Sequence, residues 1–318
     1  MPDLVTVFGG SGFIGTQVVR ALARRGARVR VAVRQPHLAN AMRLMGDVGQ
    51  VEVVQANIRD AASVQRAVEG ADAVINLVGL LYETGRQTFQ SVHVDAAGTI
   101  ARASAEAGAR LVQMSALGAD AASSSRYART KAAGEAAVRE ILPSAVVLRP
   151  SIVFGPGDDF FNKFGEMAVV SPFLPLIGGG RTRFQPVYVG DVARAVASVA
   201  LDAQYAGRTF ELGGPGVFTF REILDLIQKE TGRRRLYAPL PFPLATLVGT
   251  LCSPLALTPL APPLTADQVE LLKTDNVVSG QAPGLADLGV TPETVEAILP
   301  TYLYRFRKGG QFAGASAA

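Results

Sequence analysis

The chain has 318 residues, 48% of them hydrophobic, with 31 lysines and arginines against 27 acidic residues and a formal charge of +4. That length suits one large α/β domain carrying a second, smaller lobe, and the arginine clusters (Arg24-Arg25, Arg233-Arg234-Arg235, Arg305-Arg307-Lys308) read as solvated faces, with anionic lipid or an acidic partner as the sharper alternative and nothing that speaks for nucleic acid. The single cysteine, Cys252, excludes an internal disulfide, and with only two histidines, His37 and His93, there is no ligand set for a zinc site.

The first strand is Leu4–Phe8, a short apolar run, and the chain then reads Gly9-Gly10-Ser11-Gly12-Phe13-Ile14-Gly15. Glycines at Gly9, Gly12 and Gly15 between a strand and a helix have the spacing of a dinucleotide-binding loop. The first allows a turn with positive φ, the second lets backbone approach a pyrophosphate, and the third lets helix pack on strand. Free N–H groups at the helix start, with roughly half a positive charge from the dipole, suit phosphate. The strand starts close to Met1, so no signal or transit peptide is expected ahead of it, and no apolar run reaches the ~20 residues of a spanning helix. A bacterial cytoplasmic protein is expected, with a membrane surface as the alternative place.

Helix Phe13–Arg25 is followed by a strand over Arg28–Arg34 that alternates at period two. Where an NAD site puts an acid on the ribose 2′-hydroxyl, this chain has Arg34, whose guanidinium suits a 2′-phosphate; the bland alternative is a surface arginine. The pattern therefore favours NADP(H) over NAD. Val51–Ala56, Ala73–Gly79, Arg110–Ser115 and Ala145–Arg149 are the next strands, with helices over Ala62–Val68, Ser91–Ala107 and Arg126–Glu140. Six strands alternating with helices imply a Rossmann-type, doubly wound parallel sheet of the α/β class.

Beyond Pro150 the pattern loosens. Ser151–Gly157 reads as a turn, Gly178–Gly180 as a loop, Asp191–Ala200 as a helix, Thr209–Leu212 as a further strand and Thr219–Thr231 as a helix capped by Thr219 with Glu222. The dinucleotide-binding domain is expected over 1–150 and about 184–202. A small, discontinuous carboxyl-terminal lobe takes about 151–183 and 203–308, and 309–318 is a flexible tail. Residues 236–266 carry no charge and hold seven prolines. They are either a loop folded over the core or an apolar docking surface, with Leu244–Ser253 as the longest helix-compatible piece.

The chemistry candidates are Ser115 at the end of strand five, and Tyr127 and Lys131 four apart on one helix face. A lysine cation lowers a nearby phenol's pKa from ~10, so the tyrosine can exchange a proton with a substrate oxygen held by the serine while nicotinamide exchanges a hydride. The same pair can equally hold the ribose of a cofactor that never turns over.

Gly9-x-x-Gly12-x-x-Gly15, Ser115 and Tyr127-x-x-x-Lys131 resemble the extended short-chain dehydrogenase/reductases. Leu80–Thr84, Ser125–Glu135, Phe184–Val189 and Leu264–Glu270 are similar to a narrower, atypical group, the nucleotide-binding accessory subunits of respiratory complex I (alpha-subcomplex subunit nine in mitochondria). This second resemblance covers nearly the whole chain. It implies tightly held NADPH without turnover, and a peripheral place on the cytoplasmic side of the inner membrane. The partners would be peripheral-arm subunits near the quinone site, with a membrane-surface contact through 236–266. The alternative is an active NADP-dependent oxidoreductase or epimerase on a small carbonyl, sugar-nucleotide or quinone-precursor substrate, with Ser115, Tyr127 and Lys131 catalytic. Cofactor contacts are implied at Gly9, Gly12, Phe13, Ile14 and Gly15, at Arg34, Asn57 and Ile58, at Leu77, Val78 and Gly79, at Ser115, Tyr127 and Lys131, and at Pro150 and Ile152. Two departures stand out. His93 replaces the asparagine that relays protons in active relatives, and Asn57 stands where an acid often meets the adenine.

Overall fold

The structure is a computed structural model that describes residues 3–253, 255 and 262–312. The chain divides into two compact units. The first comprises 1–150, 190–212 and 279–290, and the second takes the remainder.

In the first unit β1 (Leu4–Phe8) leads through the glycine loop into α1 (Phe13–Arg24), then β2 (Arg28–Val33), β3 (Val51–Gln55), α2 (Ala61–Val68) and β4 (Ala73–Asn76). A π-turn over Gln90–Asp95 opens α3 (Ala96–Glu106), followed by β5 (Arg110–Met114), α4 (Arg126–Ile141) and β6 (Val146–Pro150). The inner strands β1 and β4 are near-continuous apolar runs, as expected where helices cover both faces of a parallel sheet, whereas β2 and β3 toward the edge carry exposed charged residues at Arg28 and Glu52. Val5, Val7, Val74 and Ile75 are fully buried, and the one polar residue inside β1, Thr6, donates to the Ala67 carbonyl of α2 at 2.9 Å. Side-chain caps start α2 and α4. Asp60 accepts from Ala62 N and Ser63 N, and Ser125 accepts from Ala128 N.

The chain continues through β7 (Val153–Phe154), α5 (Phe160–Val170), β8 (Phe173–Ile177), β9 (Arg183–Phe184) and β10 (Val187–Tyr188), then α6 (Val189–Leu201) and β11 (Thr209–Leu212). β11 pairs in parallel with β6 and completes a seven-stranded sheet of order β11-β6-β5-β4-β1-β2-β3. The sheet is thus doubly wound, reversing direction between β1 and β4, and the carboxyl ends of those two strands form the crevice where such folds take ligands. Residues 203–212 and 279–290, assigned from sequence to the smaller lobe, belong to the first unit. The reason is a local clasp: Ser279 N donates to Glu211 Oε2, and Glu211 N donates to the Pro283 carbonyl.

The second unit adds β12 (Phe218–Thr219), α7 (Phe220–Thr231), β13 (Leu236–Leu240), α8 (Phe242–Cys252), α9 (Ala266–Leu271), α10 (Val295–Ile298) and α11 (Pro300–Leu303). Thr219 and Glu222 form a capping box, and α7 ends on Gly232 at φ 63°. Its core is rich in phenylalanine, including Phe154, Phe161, Phe164, Phe184, Phe220 and Phe306. The uncharged stretch is not a plain loop. Its first part is β13, paired in parallel with β8 from Phe173↔Leu236 to Leu240↔Ile177, and Pro239 fits because β13 is an edge strand. α8 follows, packing Ala245 inward and presenting Leu244, Leu247 and Leu251 outward. Residues 254 and 256–261 of that stretch, and 313–318 of the expected tail, lie outside the described residues. Among the described residues no helix is long and apolar enough to cross a membrane.

Candidate functional site

The glycine loop has the geometry its spacing implies. Gly9 has φ 79°, and a Cβ there would meet Val78 Cγ2 at 3.3 Å, so the first loop lies directly against the end of β4. A Cβ at Gly15 would come within 2.2 Å of the Gly9 carbonyl oxygen, closer than atoms pack, so α1 can sit on the loop only with glycine at that position. Gly12 is exposed and extended, and among the described residues no side chain caps the first turn of α1. Phe13 and Ile14 are half-buried in that turn, which leaves backbone N–H groups at the helix start to face a ligand.

β2 ends at Val33, one residue short of the expected span, and Arg34 beyond it is exposed. A cavity of about 340 Å³ lies there, lined by Arg34, Gln55, Ala56, Asn57, Asp60, Ser63 and Arg66. Asn57 N donates to Ser63 Oγ, and Asn57 Oδ1 accepts from Arg59 N, so Asn57 shapes the turn. Ile58 is 9% exposed and its side chain belongs to the core, so it does not line this cavity. The second cation of this cavity, Arg66, was not singled out from sequence. Its signal is position: one turn beyond Ser63 on a helix that begins at the end of β3.

β4 ends at Asn76, not Gly79, because the Asn76 side chain takes over from the ladder. Asn76 is 1% exposed, donates through Nδ2 to Gln113 Oε1 at 2.9 Å, and accepts from Val78 N at 3.1 Å. The half-buried Leu77 and Val78 and the exposed Gly79 are thereby held in a fixed loop. A Cβ on Gly79 would stand 3.3 Å from Lys131 Nζ and 3.8 Å from His93 Nε2. The loop therefore meets α4 at Lys131.

Lys131 is 7% exposed, and its Nζ donates to the Met114 carbonyl at 3.4 Å and lies 5.7 Å from the Tyr127 ring centroid. Burial holds its pKa down at about 8 against an ordinary 10.5, with the Glu135 carboxylate pulling the other way. Glu135, one turn on, forms a two-point ion pair with Arg149 of β6, at 2.9 and 2.6 Å. Ser115 follows directly on Met114. It is 4% exposed, and its Oγ finds no hydrogen-bond partner among the described residues. Pro150 ends β6 and its carbonyl accepts from Leu117 N. Ile152 falls in the second unit, where its N–H donates to Asn276 Oδ1 and its carbonyl accepts from Val187 N.

The expected helix at Ser91 begins instead as a π-turn. A π-turn is a rare geometry that gathers at functional sites, and this one carries His93 against Tyr127, with ring centroids 5.3 Å apart. Gly134 of α4 explains the close approach: a Cβ there would stand 2.0 Å from the His93 carbonyl oxygen.

Two features fit a dinucleotide by geometry alone. One is a glycine cradle that a Cβ would fill, ending in an uncapped helix start. The other is a buried serine hydroxyl without a partner among the described residues, next in sequence to Met114, whose carbonyl receives the Lys131 ammonium. With the seven-stranded sheet, they define a Rossmann-type protein of the short-chain dehydrogenase/reductase class.

The comparisons carry this further. Residues 5–213 match the NAD dependent epimerase/dehydratase family. The chain is 38% identical to "NADH dehydrogenase [ubiquinone] 1 alpha subcomplex subunit 9, mitochondrial" of Arabidopsis thaliana, over 98% of this chain and 80% of that protein. It is 36% identical to a ceramide reductase of Caulobacter vibrioides, over 60% of this chain and 58% of that protein. Its fold superposes on the NADPH-dependent quinone oxidoreductase of Escherichia coli in complex with NADPH, with TM-score 0.72 and 19% identity, over 92% of this chain and 97% of that one. The chain belongs to the NAD dependent epimerase/dehydratase family and, within it, groups with the alpha subcomplex subunit 9 proteins.

Proposed function

We propose that this protein is an accessory subunit of respiratory complex I that holds NADPH without turning it over. The observation that carries the reading is the similarity to alpha subcomplex subunit 9, which runs through both units and not the nucleotide-binding unit alone. In this reading the amides of the Gly9–Gly15 loop and the start of α1 hold the pyrophosphate. Arg34 with Arg66 takes the 2′-phosphate, Asn57 and the Ile58 backbone border the adenine, and the Leu77–Gly79 loop and Pro150 border the nicotinamide half. Tyr127 and Lys131 bind the nicotinamide ribose, and Ser115 Oγ, which has no partner among the described residues, gains one. A ligand that binds only the folded state stabilises it by mass action, which is a sufficient role for a nucleotide that is never consumed. The protein would sit peripherally on the arm near the quinone site. The exposed leucines of α8 and the basic carboxyl-terminal region would face neighbouring subunits or lipid.

A second reading keeps the site catalytic, because Ser115, Tyr127 and Lys131 are all present and a ceramide reductase is among the relatives. A nicotinamide bound there would supply a hydride. Ser115 would hold a substrate carbonyl oxygen, Tyr127 would pass it a proton, and the Lys131 ammonium would favour that transfer.

A tagged pull-down from native membranes in mild detergent, with the bound nucleotide identified by mass spectrometry, separates the two. Complex I subunits recovered with stoichiometric NADPH are expected. A chain recovered alone, with mixed nucleotide or none, sinks the accessory-subunit reading. Loss of a reductase turnover in Tyr127→Phe with nucleotide retained would establish the enzyme.

A further inference from the structure

His93 is 3% exposed and sits between three segments. Its Nε2 accepts from Leu80 N at 3.1 Å, and its Nδ1 lies 3.0 Å from Thr130 Oγ1 on α4. Thr130 Oγ1 has acceptors of its own, the Arg126 carbonyl at 2.9 Å and the Tyr127 carbonyl at 3.1 Å. A hydroxyl has one proton to give. Thr130 gives it to one of those carbonyls, so its oxygen receives the proton of Nδ1. The Leu80 N–H occupies the lone pair of Nε2. One neutral tautomer, Nδ1–H, satisfies every partner. The ring stacks on Phe89 at 5.3 Å and meets Tyr127 edge-on at 89°.

The geometry assigns His93 as a positioning residue: a strut of fixed tautomer that ties the Leu77–Leu80 loop to α4 beside Tyr127 and neither gives nor takes a proton. Both walls it joins belong to the site, so the strut sets the gap into which the nicotinamide half fits; this last clause rests on the nucleotide reading above. The titratable groups that face His93 come from α4, namely Tyr127 and Lys131, and the Leu77–Leu80 loop contributes none. Burial, reinforced by the Lys131 ammonium, holds the imidazole pKa down at about 3, so the strut stays neutral across the physiological range.

The test uses the full chain with the exposed His37 changed (His37→Gln), which leaves His93 as the one histidine. Nitrogen NMR of the labelled ring is expected to show a protonated Nδ1 and a bare Nε2, both unmoved from about pH 5 to about pH 8. A proton on Nε2, an imidazolium, or a titration inside that window overturns the assignment. Thr130→Val, which removes the acceptor of Nδ1–H and leaves Leu80 alone, is expected to release bound NADPH about tenfold faster. Release within about twofold of the parent means the strut does not set the gap and overturns the positioning role. If the parent carries no nucleotide, the NADPH reading fails, and the tautomer, measured on the nucleotide-free protein, still decides on the strut.

Discussion

Lys131 meets two opposing demands, and pH separates them. Its folded pKa of about 8 lies below the ordinary 10.5, so between those values the native protein holds fewer protons than the unfolded chain. The penalty for burying the ammonium is therefore fully present below about pH 8 and is relieved as pH rises toward 10.5; on this group alone the nucleotide-free protein gains stability over that window. Ribose hydroxyls, by contrast, need the charged donor, so NADPH affinity is expected to hold below about pH 8 and fall above it. Thermal melts with and without NADPH, taken across that window, should converge: the stabilisation added by NADPH should shrink as pH rises. Lys131→Met should bind more weakly and lose the step. Parallel curves for the parent would refute this account of the lysine. At the other end of the site, two guanidinium groups line one cavity. Charge-assisted hydrogen bonds are worth roughly 1.5–3 kcal/mol each, so Arg34→Ala and Arg66→Ala should each weaken NADPH binding by about ten- to a hundredfold while leaving NADH nearly unchanged. Titration calorimetry with both nucleotides checks this, and equal losses for the two would remove the case for a 2′-phosphate subsite.

At the scale of the elements, α4 is bolted to the sheet by an ion pair between a buried carboxylate and a half-buried guanidinium. Glu135 is 6% exposed and meets Arg149 of β6 through both oxygens. Removing one partner leaves the other short of its hydrogen bonds, and because the Arg149 guanidinium is partly open to solvent the cost is about 1–3 kcal/mol; Glu135→Ala should lose stability of that order in urea melts, whereas Glu135→Leu with Arg149→Met should recover most of it. A loss well below about 1 kcal/mol would mean that the pair contributes no more than one on the open surface. This helix also shows what sequence alone could reveal. Tyr127, Lys131 and the glycine loop were legible because their spacing is local: four residues on one helix, or three glycines in one turn. The strands were legible because a sheet covered on both faces demands apolar runs at its centre and tolerates alternation toward its edge, as in β2. What stayed hidden depends on contacts far apart in the chain. Nothing local to Leu236–Leu240 announces a strand with a proline in it, since its register is set by β8 more than fifty residues earlier. The π-turn at His93 exists because Gly134 lets α4 press against it, and Asn76 ends β4 early through a partner on β5. The return of 279–290 to the first unit rests on Glu211, which no periodicity marks.

At the scale of the whole molecule, each unit is sewn together from separate pieces of chain, and the last described piece closes the second unit. Leu299 and Leu303 are fully buried, and Phe306 lies so close to α5 that a Cβ on Gly165 would stand 2.6 Å from its ring. Tyr302 OH donates at 2.7 Å to Asp158 Oδ2, the carboxylate that also accepts from Gly155, Phe161 and Asn162 N–H groups at the start of α5. Burial beside that carboxylate pushes the Tyr302 phenol up, so it remains a donor throughout the working range of pH. Ending the chain after Ile298 would remove four buried side chains from one core, each worth about 2–5 kcal/mol when truncated, which exceeds what a unit of this size has to spare. That variant should therefore expose 151–189 and 213–278 to protease. Tyr302→Phe is the gentler probe: it keeps the packing and takes one donor from a buried carboxylate, an expected loss of about 1–3 kcal/mol. If the chain ending at Ile298 resists protease as well as the parent does, the carboxyl-terminal segment is an appendage, and the second unit holds itself together through α5, α7 and the β8–β13 pair alone.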